Sequence, residues 1–311
     1  MKRMTTGFLA LAMLLSLAAC GGKTIHTKSG SNRNASSNHS DPSMSSQEKA
    51  TKDDKNTQNP MSFTPMLVVD NEDCAIQITG IEADNMWGYT LKTLLENKSA
   101  DKTHMFSVES AAINGVQCDP LFATEVTAGK KSNEEICFPG DGLEENGITE
   151  YTDVELTFHV YDSHDLAAED IAKETIHIYP FGEEKAEKFV RKPQASDHVI
   201  VDNDQVTAIV TGYVKNDIWG YTINLFLLNK TDKNVMFSVD EASVNGFMLD
   251  PFYATSVSVG KCAFSSIVWS DAAFEKNSIT EVETIEFKFK AYDEDTWSGD
   301  DFVNETITLN P

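Results

Sequence analysis

The tetrapeptide Trp-Gly-Tyr-Thr occurs twice, at Trp87–Thr90 and at Trp219–Thr222, 132 residues apart. Each copy opens an apolar run that closes on Asn-Lys, at Asn97-Lys98 and Asn229-Lys230. Upstream, Val68-Val69-Asp70-Asn71 matches Ile200-Val201-Asp202-Asn203. Past Asn-Lys the second copy is one residue shorter. Met105-Phe106-Ser107-Val108 then matches Met236-Phe237-Ser238-Val239, and Asn114-Gly115 matches Asn245-Gly246. Asp119-Pro120, Ile148-Thr149-Glu150 and Tyr161-Asp162 find partners at Asp250-Pro251, Ile279-Thr280-Glu281 and Tyr292-Asp293. Matches this dense and in this order mark an internal duplication. Whatever the chain folds into, it does so twice.

The period inside each unit is that of strands. Tyr221, Ile223, Leu225 and Leu227 alternate with Thr222, Asn224, Phe226 and Leu228. Val154, Leu156, Phe158 and Val160 alternate with Glu155, Thr157, His159 and Tyr161, and Ile285, Phe287 and Phe289 repeat the pattern. Such alternation argues antiparallel strands with one face in the core. Asn-Gly adopts φ > 0 at both centres of a type I′ turn, so Asn114-Gly115 and Asn245-Gly246 read as hairpins. Turn signals roughly every ten residues give about seven short strands per unit, hence an all-β two-sheet sandwich. The expected repeats are 63–180 and 197–311, joined by a charged linker at 181–196 with a short helix over 183–190. Helical turns are expected at 143–147 and 271–277.

The N-terminus has a different character. Lys2 and Arg3 precede an uncharged apolar run, Phe8 to Leu17, and small residues lead into Cys20. This is the layout of a secretory signal, and the run is short for a span of about 20 residues. Leu17-Ala18-Ala19-Cys20 resembles the bacterial lipobox. The resemblance implies a lipoprotein signal over residues 1–20, cleaved just before Cys20, and diacylglycerol on the Cys20 thiol, since only a thiol forms that thioether. Residues 21–62 are rich in Ser, Asn, Lys, Thr and Asp with no aromatic residue. They offer too little apolar surface to offset ordering entropy, so a disordered tether is expected.

With these residues in place, each unit resembles the immunoglobulin-like domains of unknown function found in secreted lipoproteins, mainly of Gram-positive bacteria. The matching features are the strand entering Trp-Gly-Tyr, the Asn-Lys-Ser/Thr turn, the Asn-Gly hairpin, Asp-Pro, a Gly-Lys pair and the strand ending Tyr-Asp. The resemblance implies tandem immunoglobulin-like sandwiches on a lipid-anchored protein outside the cell membrane. It supplies no catalytic residues.

Composition narrows the partners. Net charge is −24. Residues 1–62 hold eight Lys/Arg against four Asp/Glu, so the rest carries −28. Such a body repels nucleic-acid phosphates and anionic headgroups. No P-loop, Gly-x-Ser-x-Gly or dinucleotide fingerprint is present. The histidines lack zinc-site spacing, so no catalytic residue, metal or cofactor is assigned. The carboxylates around Trp297 lack the EF-hand pattern and read as a solvated loop.

Each copy also serves as a control for the other. Cys74, Cys118 and Cys137 stand where copy two has Val206, Leu249 and Val268, so they read as small buried hydrophobes. If a disulfide forms, Cys118–Cys137 is the expected pair. Cys262 stands where copy one has Lys131, so it is expected to be more exposed. Asn97, Asn229 and Asn304 fit the glycosylation pattern, which has no bearing on a bacterial lipoprotein.

Trp87, Tyr89, Trp219 and Tyr221 are the candidate binding residues. Tryptophan at a loop serves as a ligand platform or plugs the end of a sandwich. The functional expectation is a non-catalytic binding module for an unknown protein or glycan, with a structural accessory of the envelope as the alternative. The tether generates a direct prediction. Limited proteolysis of the purified chain should cut within 21–62 first. Resistance of that segment would contradict the composition argument.

Overall fold

A computed structural model describes residues 63–120, 122–138, 142–216, 220–251, 253–296 and 299–311. Cys20 and the expected signal and tether lie outside these, as do Trp219 and Trp297. The fold is all-β. The first repeat contributes β1 (Met66–Asp70), β2 (Cys74–Asn85), β3 (Gly88–Asn97), β4 (His104–Ile113), β5 (Val116–Cys118), β6 (Ala123–Val126), β7 (Lys131–Phe138), β8 (Val154–Asp162) and β9 (Ala172–Ile178). The second contributes β10 (His198–Asp202), β11 (Val206–Asn216), β12 (Gly220–Asn229), β13 (Val235–Val244), β14 (Phe247–Met248), β15 (Ala254–Val257), β16 (Cys262–Trp269), β17 (Ile285–Asp293) and β18 (Val303–Leu309). Nine strands per repeat replace the seven expected, because β5 and β6, like β14 and β15, are short pieces within apparent turns.

Each repeat packs one antiparallel sheet on another. In the first, β1-β2-β3-β7 faces β9-β8-β4 with β5 and β6; in the second, β10-β11-β12-β16 faces β18-β17-β13 with β14 and β15. Even the irregularities are duplicated. The β1–β2 register shifts between Leu67 and Val69, and β10–β11 shifts between Val199 and Val201. Strand alternation sends Val154, Leu156, Phe158 and Val160 inward, fully buried, while their neighbours are half-buried.

Asparagine amides close the sandwiches. Asn97 is buried, and its Nδ2 donates to Lys102 O at 2.8 Å and Val126 O at 2.7 Å. Its Oδ1 accepts from Ser99 N at 2.9 Å. Asn229 repeats this with Lys233 O, Val257 O and Thr231 N. A buried amide with every polar atom paired holds; one left unpaired costs about 1–3 kcal/mol. These two side chains are therefore sealed in the structure rather than open to modification.

Asn114 has φ 52° and Gly115 φ 81°, as a type I′ turn needs. Asn114 Nδ2 donates to Glu150 O at 2.8 Å, while its Oδ1 accepts from the Thr152 and Asp153 amides. Asn245 does the same with Glu281, Glu283 and Thr284.

The second repeat's core is built wholly from its own residues, between Val201 and Leu309. The first repeat's core also takes in Phe226 and Cys262 of the second. Here the repeats join. β5 pairs in parallel with β16, with Val116 opposite Cys262, and Cys262 N donates to Gly115 O at 3.2 Å. Gln117 reads the facing backbone from both ends of its amide: Nε2 donates to Ser256 O at 2.7 Å, and Oε1 accepts from Ser258 N at 2.8 Å. Lys261 pairs with Glu155. A single sheet consequently runs from β10 to β9 through both repeats.

Two expectations are corrected at this junction. Cys262 is buried, because β5 covers it. Residues 181–196 are not simply a linker helix: only a 3₁₀ turn forms, at Glu183–Lys185. The remainder lies along the junction. Phe189 N donates to Asn114 O at 2.8 Å, and the Phe189 ring meets Phe264 edge-on at 5.9 Å. Arg191 forks onto Asp197 with two 2.6 Å bonds and sits 5.5 Å over the Phe226 ring. The expected helical turns are present, as a 3₁₀ turn at Glu144–Asn146 and as α1 (Asp271–Lys276).

Asn229→Ala removes the Nδ2 donor from the Lys233, Val257 and Ser258 carbonyls and the Oδ1 acceptor from the Thr231 amide. It should destabilise the second repeat by about 3 kcal/mol in urea unfolding, while Asn304→Ala, at an exposed position, should leave the midpoint unchanged.

Candidate functional site

The two-residue loop between β2 and β3 is Met86-Trp87, closed by the pairing of Asn85 with Gly88. Both side chains are bare to solvent, Met86 84% and Trp87 67% exposed. The backbone under them is fixed. Asn85 Oδ1 accepts from Trp87 N at 3.0 Å, and Gly88 has φ 103°, a conformation side chains disfavour. Gly220, at the same place in the second repeat, is held still more tightly: a Cβ there would lie 2.2 Å from Trp269 O. The glycine therefore lets β12 start directly against the end of β16. A rigid tip carrying two large apolar side chains has a clear physical use. Covering a tryptophan contributes about 3 kcal/mol at 25 cal/mol per Å².

The neighbouring tyrosines behave differently. Tyr89 and Tyr221 are buried, one strand position beyond the turn glycine and pointing into the sandwich. Tyr89 lies 4.8 Å from the Tyr151 ring and 6.4 Å from Phe138; Tyr221 lies 5.8 Å from Phe274. Burial pushes the Tyr221 hydroxyl up to about 12 and raises that of Tyr89 as well. Their expected binding role is corrected: they are core residues. Trp87 alone of the described candidates presents a surface, and Trp219 lies outside the described residues.

The four described cysteines are free thiols, so the Cys118–Cys137 pairing does not form. Burial lifts Cys74 and Cys262 to about 11 and Cys118 to about 12, which keeps them as unreactive thiols. Among the described residues no three His, Cys, Asp or Glu gather as a metal site. The acidic loop after β17 is satisfied internally. Asp293 accepts from Lys233 Nζ at 2.5 Å, Thr296 Oγ1 at 2.7 Å and Asp295 N at 3.1 Å. Those donors, Lys233 foremost, hold its carboxyl down at about 2.

Two open grooves flank the junction. One, of about 750 Å³, runs between Glu187–Gln194, the turn at Glu145–Thr152 and Phe264. The other, of about 620 Å³, lies between β5, β8, β9 and the β15–β16 turn. Their charges are of mixed sign, and the lysines of the second groove are paired, Lys173 to Glu109 at 2.7 Å and Lys261 to Glu155.

One titratable group escaped the sequence reading. His104 is buried beside Phe106, where the second repeat has Val235, and its Nδ1 has no hydrogen-bond partner. The copy-to-copy change from valine to histidine was the available signal.

Neither a family model nor a curated protein matches the chain. Several solved structures are similar to it at low score. Red sea bream transglutaminase is 11% identical over 78% of this chain and 31% of its own, with a TM-score of 0.23. A protein of unknown function from Porphyromonas gingivalis is 11% identical over 71% and 89%, with a TM-score of 0.20. The exo-chitosanase of Amycolatopsis orientalis is 12% identical over 78% and 27%, with a TM-score of 0.23. The chain spans about a third of the transglutaminase and about a quarter of the chitosanase. Likenesses of this strength carry no argument about activity. Fold and site define an all-β sandwich protein with an exposed aromatic tip. No helix among the described residues is long and apolar enough to cross a membrane.

Burial lowers the His104 pKa below its ordinary value of about 6.5, against the opposing pull of Asp73 and Asp162. A histidine held neutral stabilises the fold fully above that value. The contribution is lost as pH falls from about 6.5 towards the folded-state pKa. His104→Val should therefore flatten the fall in Tm as pH drops below about 6.5. An unchanged slope in that range would assign the pH dependence to other groups.

Proposed function

We propose that the chain is a lipid-anchored extracytoplasmic lipoprotein whose paired immunoglobulin-like sandwiches act as a non-catalytic binding module. The observation that carries the binding reading is the Met86-Trp87 tip, exposed on a hairpin whose backbone is fixed. Solvent exposure gives these side chains no stabilising role in the fold. Rigidity lowers the ordering cost of covering them with a partner. The ring presents a flat apolar face, suited to a sugar ring or to an apolar pocket on a protein. The anchor reading rests on Lys2-Arg3, the apolar run and Leu17-Ala18-Ala19-Cys20. Several acyl chains on one residue anchor stably, at roughly 0.8 kcal/mol per buried CH₂.

The alternative, a structural or accessory envelope protein, is favoured by one observation. β5 and β16 hold the two repeats in a shared sheet, which suits a stiff spacer.

Expression in a bacterial host with labelled palmitate separates these elements. The wild-type chain should take up label and fractionate with membranes, and Cys20→Ala should do neither. Glycan-array and envelope pull-down profiles of the soluble repeats should lose their signals with Trp87→Ala, at unchanged Tm. Label on Cys20→Ala would remove the anchor, and a profile insensitive to Trp87→Ala would remove the tip.

A further inference from the structure

The junction within the chain shows what a β4–β5 hairpin is for, and the second repeat carries an equivalent hairpin with nothing on it. Val116 and Gln117 correspond to Phe247 and Met248. In the first repeat Val116 is fully buried against β16. In the second, Phe247 is 47% exposed and Met248 68% exposed. A hairpin tip left permanently in water gains nothing from a phenylalanine and a methionine. Yet these positions are more apolar than their docked counterparts.

The hairpin is also rigid. Asn245 fastens the turn to Glu281, and Leu249 N donates to Ala242 O at 3.0 Å. Trp269 Nε1 donates to Leu249 O at 2.9 Å. Beside it, Glu286 takes the place of Glu155, which pairs Lys261 across the junction; Glu286 is exposed.

The surface this hairpin fits is the one that β5 fits: an open edge strand backed by apolar side chains on the outer sheet face. In the second repeat that face is Ile209, Phe226, Leu228 and Phe264, with Phe226 and Phe264 opposite each other on β12 and β16. A second copy of the chain offers no such surface. Its β16 is already taken by its own β5. The equivalent face of its first repeat is mostly polar: Gln77, Glu96 and Asn133 beside Leu94. There Glu96 and Lys131 form an ion pair at 2.9 Å where the second repeat has Leu228 and Cys262.

We propose that the Phe247-Met248 hairpin is a docking site for a β-sandwich domain of another protein. That domain presents an open edge strand with an apolar outer face, and a lysine placed to meet Glu286. The site is separate from the Met86-Trp87 tip, and each stands or falls without the other. It gives the chain a means of extending the β-sandwich array of a partner.

A probe with the required surface is at hand in residues 197–311 of this chain. Their core closes without the first repeat, and once severed they expose β16 and its apolar face. Near-UV circular dichroism, to which the buried Trp269 contributes, reports that the probe is folded. The immobilised full chain should bind this probe saturably. Affinity should fall at least tenfold with Phe247→Ser/Met248→Lys in the full chain, or with Phe264→Asn in the probe, and hold with Trp87→Ala. Full chain carrying Gln117→Glu and Glu155→Lys, which loosen its own junction, provides a second probe of the same face and should give the same ranking. No binding of either probe, or binding indifferent to Phe247→Ser/Met248→Lys, overturns the proposal. Sedimentation of the wild-type chain should show a monomer; self-association lost with Phe247→Ser/Met248→Lys would put a second copy on the hairpin and overturn the choice of partner.

Discussion

The structure depends on asparagine side chains buried where the backbone leaves one sheet for the other. A sandwich buries the ends of its crossing segments, and their carbonyls and amides must find partners without water. Asn97 and Asn229 supply those partners at the β3–β4 and β12–β13 crossings. Asn114 and Asn245 do so beneath the type I′ hairpins. Asn71 and Asn203 each cap a strand start through Oδ1 and reach the opposite sheet's loop through Nδ2, at Ile171 O and Phe302 O. Each is a local turn signal that also makes a long-range contact, which explains why the duplicated motifs are so rich in asparagine. Aliphatic packing supplies most of the driving force, and these amides decide which crossing geometry that packing takes.

Against this common framework, the repeats have diverged on one face. On the outer side of β3–β7 the first repeat carries charge, including the Glu96–Lys131 pair. On the outer side of β12–β16 the second carries Phe226, Leu228 and Phe264, covered by β5 and by Phe189 of the connecting segment. Arg191 seals the edge, its charge met by Asp197 and its flat face by Phe226. Arg191 in turn holds the Asp197 carboxyl below the usual carboxylate range. A gene duplicate that remains tethered to its twin can convert a solvated sheet face into an interface with few substitutions, because its partner is always present at high effective concentration.

Much of this was legible in the chain. Period-two alternation identified the long strands, and Asn-Gly marked the hairpins with the φ values later found. Comparison of the copies placed Cys74 in the core. The same comparison failed at Cys262, and it overstated the burial of Cys118 and Cys137, which are only half-buried; strand alternation likewise missed the burial of Phe226. Comparing copies assumes that equivalent positions share an environment, and the junction covers Cys262 and Phe226 in one copy only. Phe226 breaks the alternation of its strand for that reason, and nothing local reveals a neighbour that arrives from more than a hundred residues away. Trp87 and Tyr89 show a finer limit. Both are large aromatics within three residues of each other, but the loop ends between them, so one points to water and the other to the core. That boundary is set by the pairing of Asn85 with Gly88, a single step of register that composition does not carry.

The parallel pairing of β5 with β16 also bears on the order of biosynthesis. Chains are made from the N-terminus, and domains generally fold in that order. The hairpin that covers Cys262 and Phe264 therefore emerges before either residue, from the ribosome and across a membrane alike. The second repeat is never required to hold its apolar outer face in water while it waits for a partner. With the order of the repeats reversed, that face would emerge first and stand open during synthesis of the next hundred residues, a free sheet edge of the kind that recruits other nascent chains. The order of the repeats thus supplies the cover for that face before the face itself.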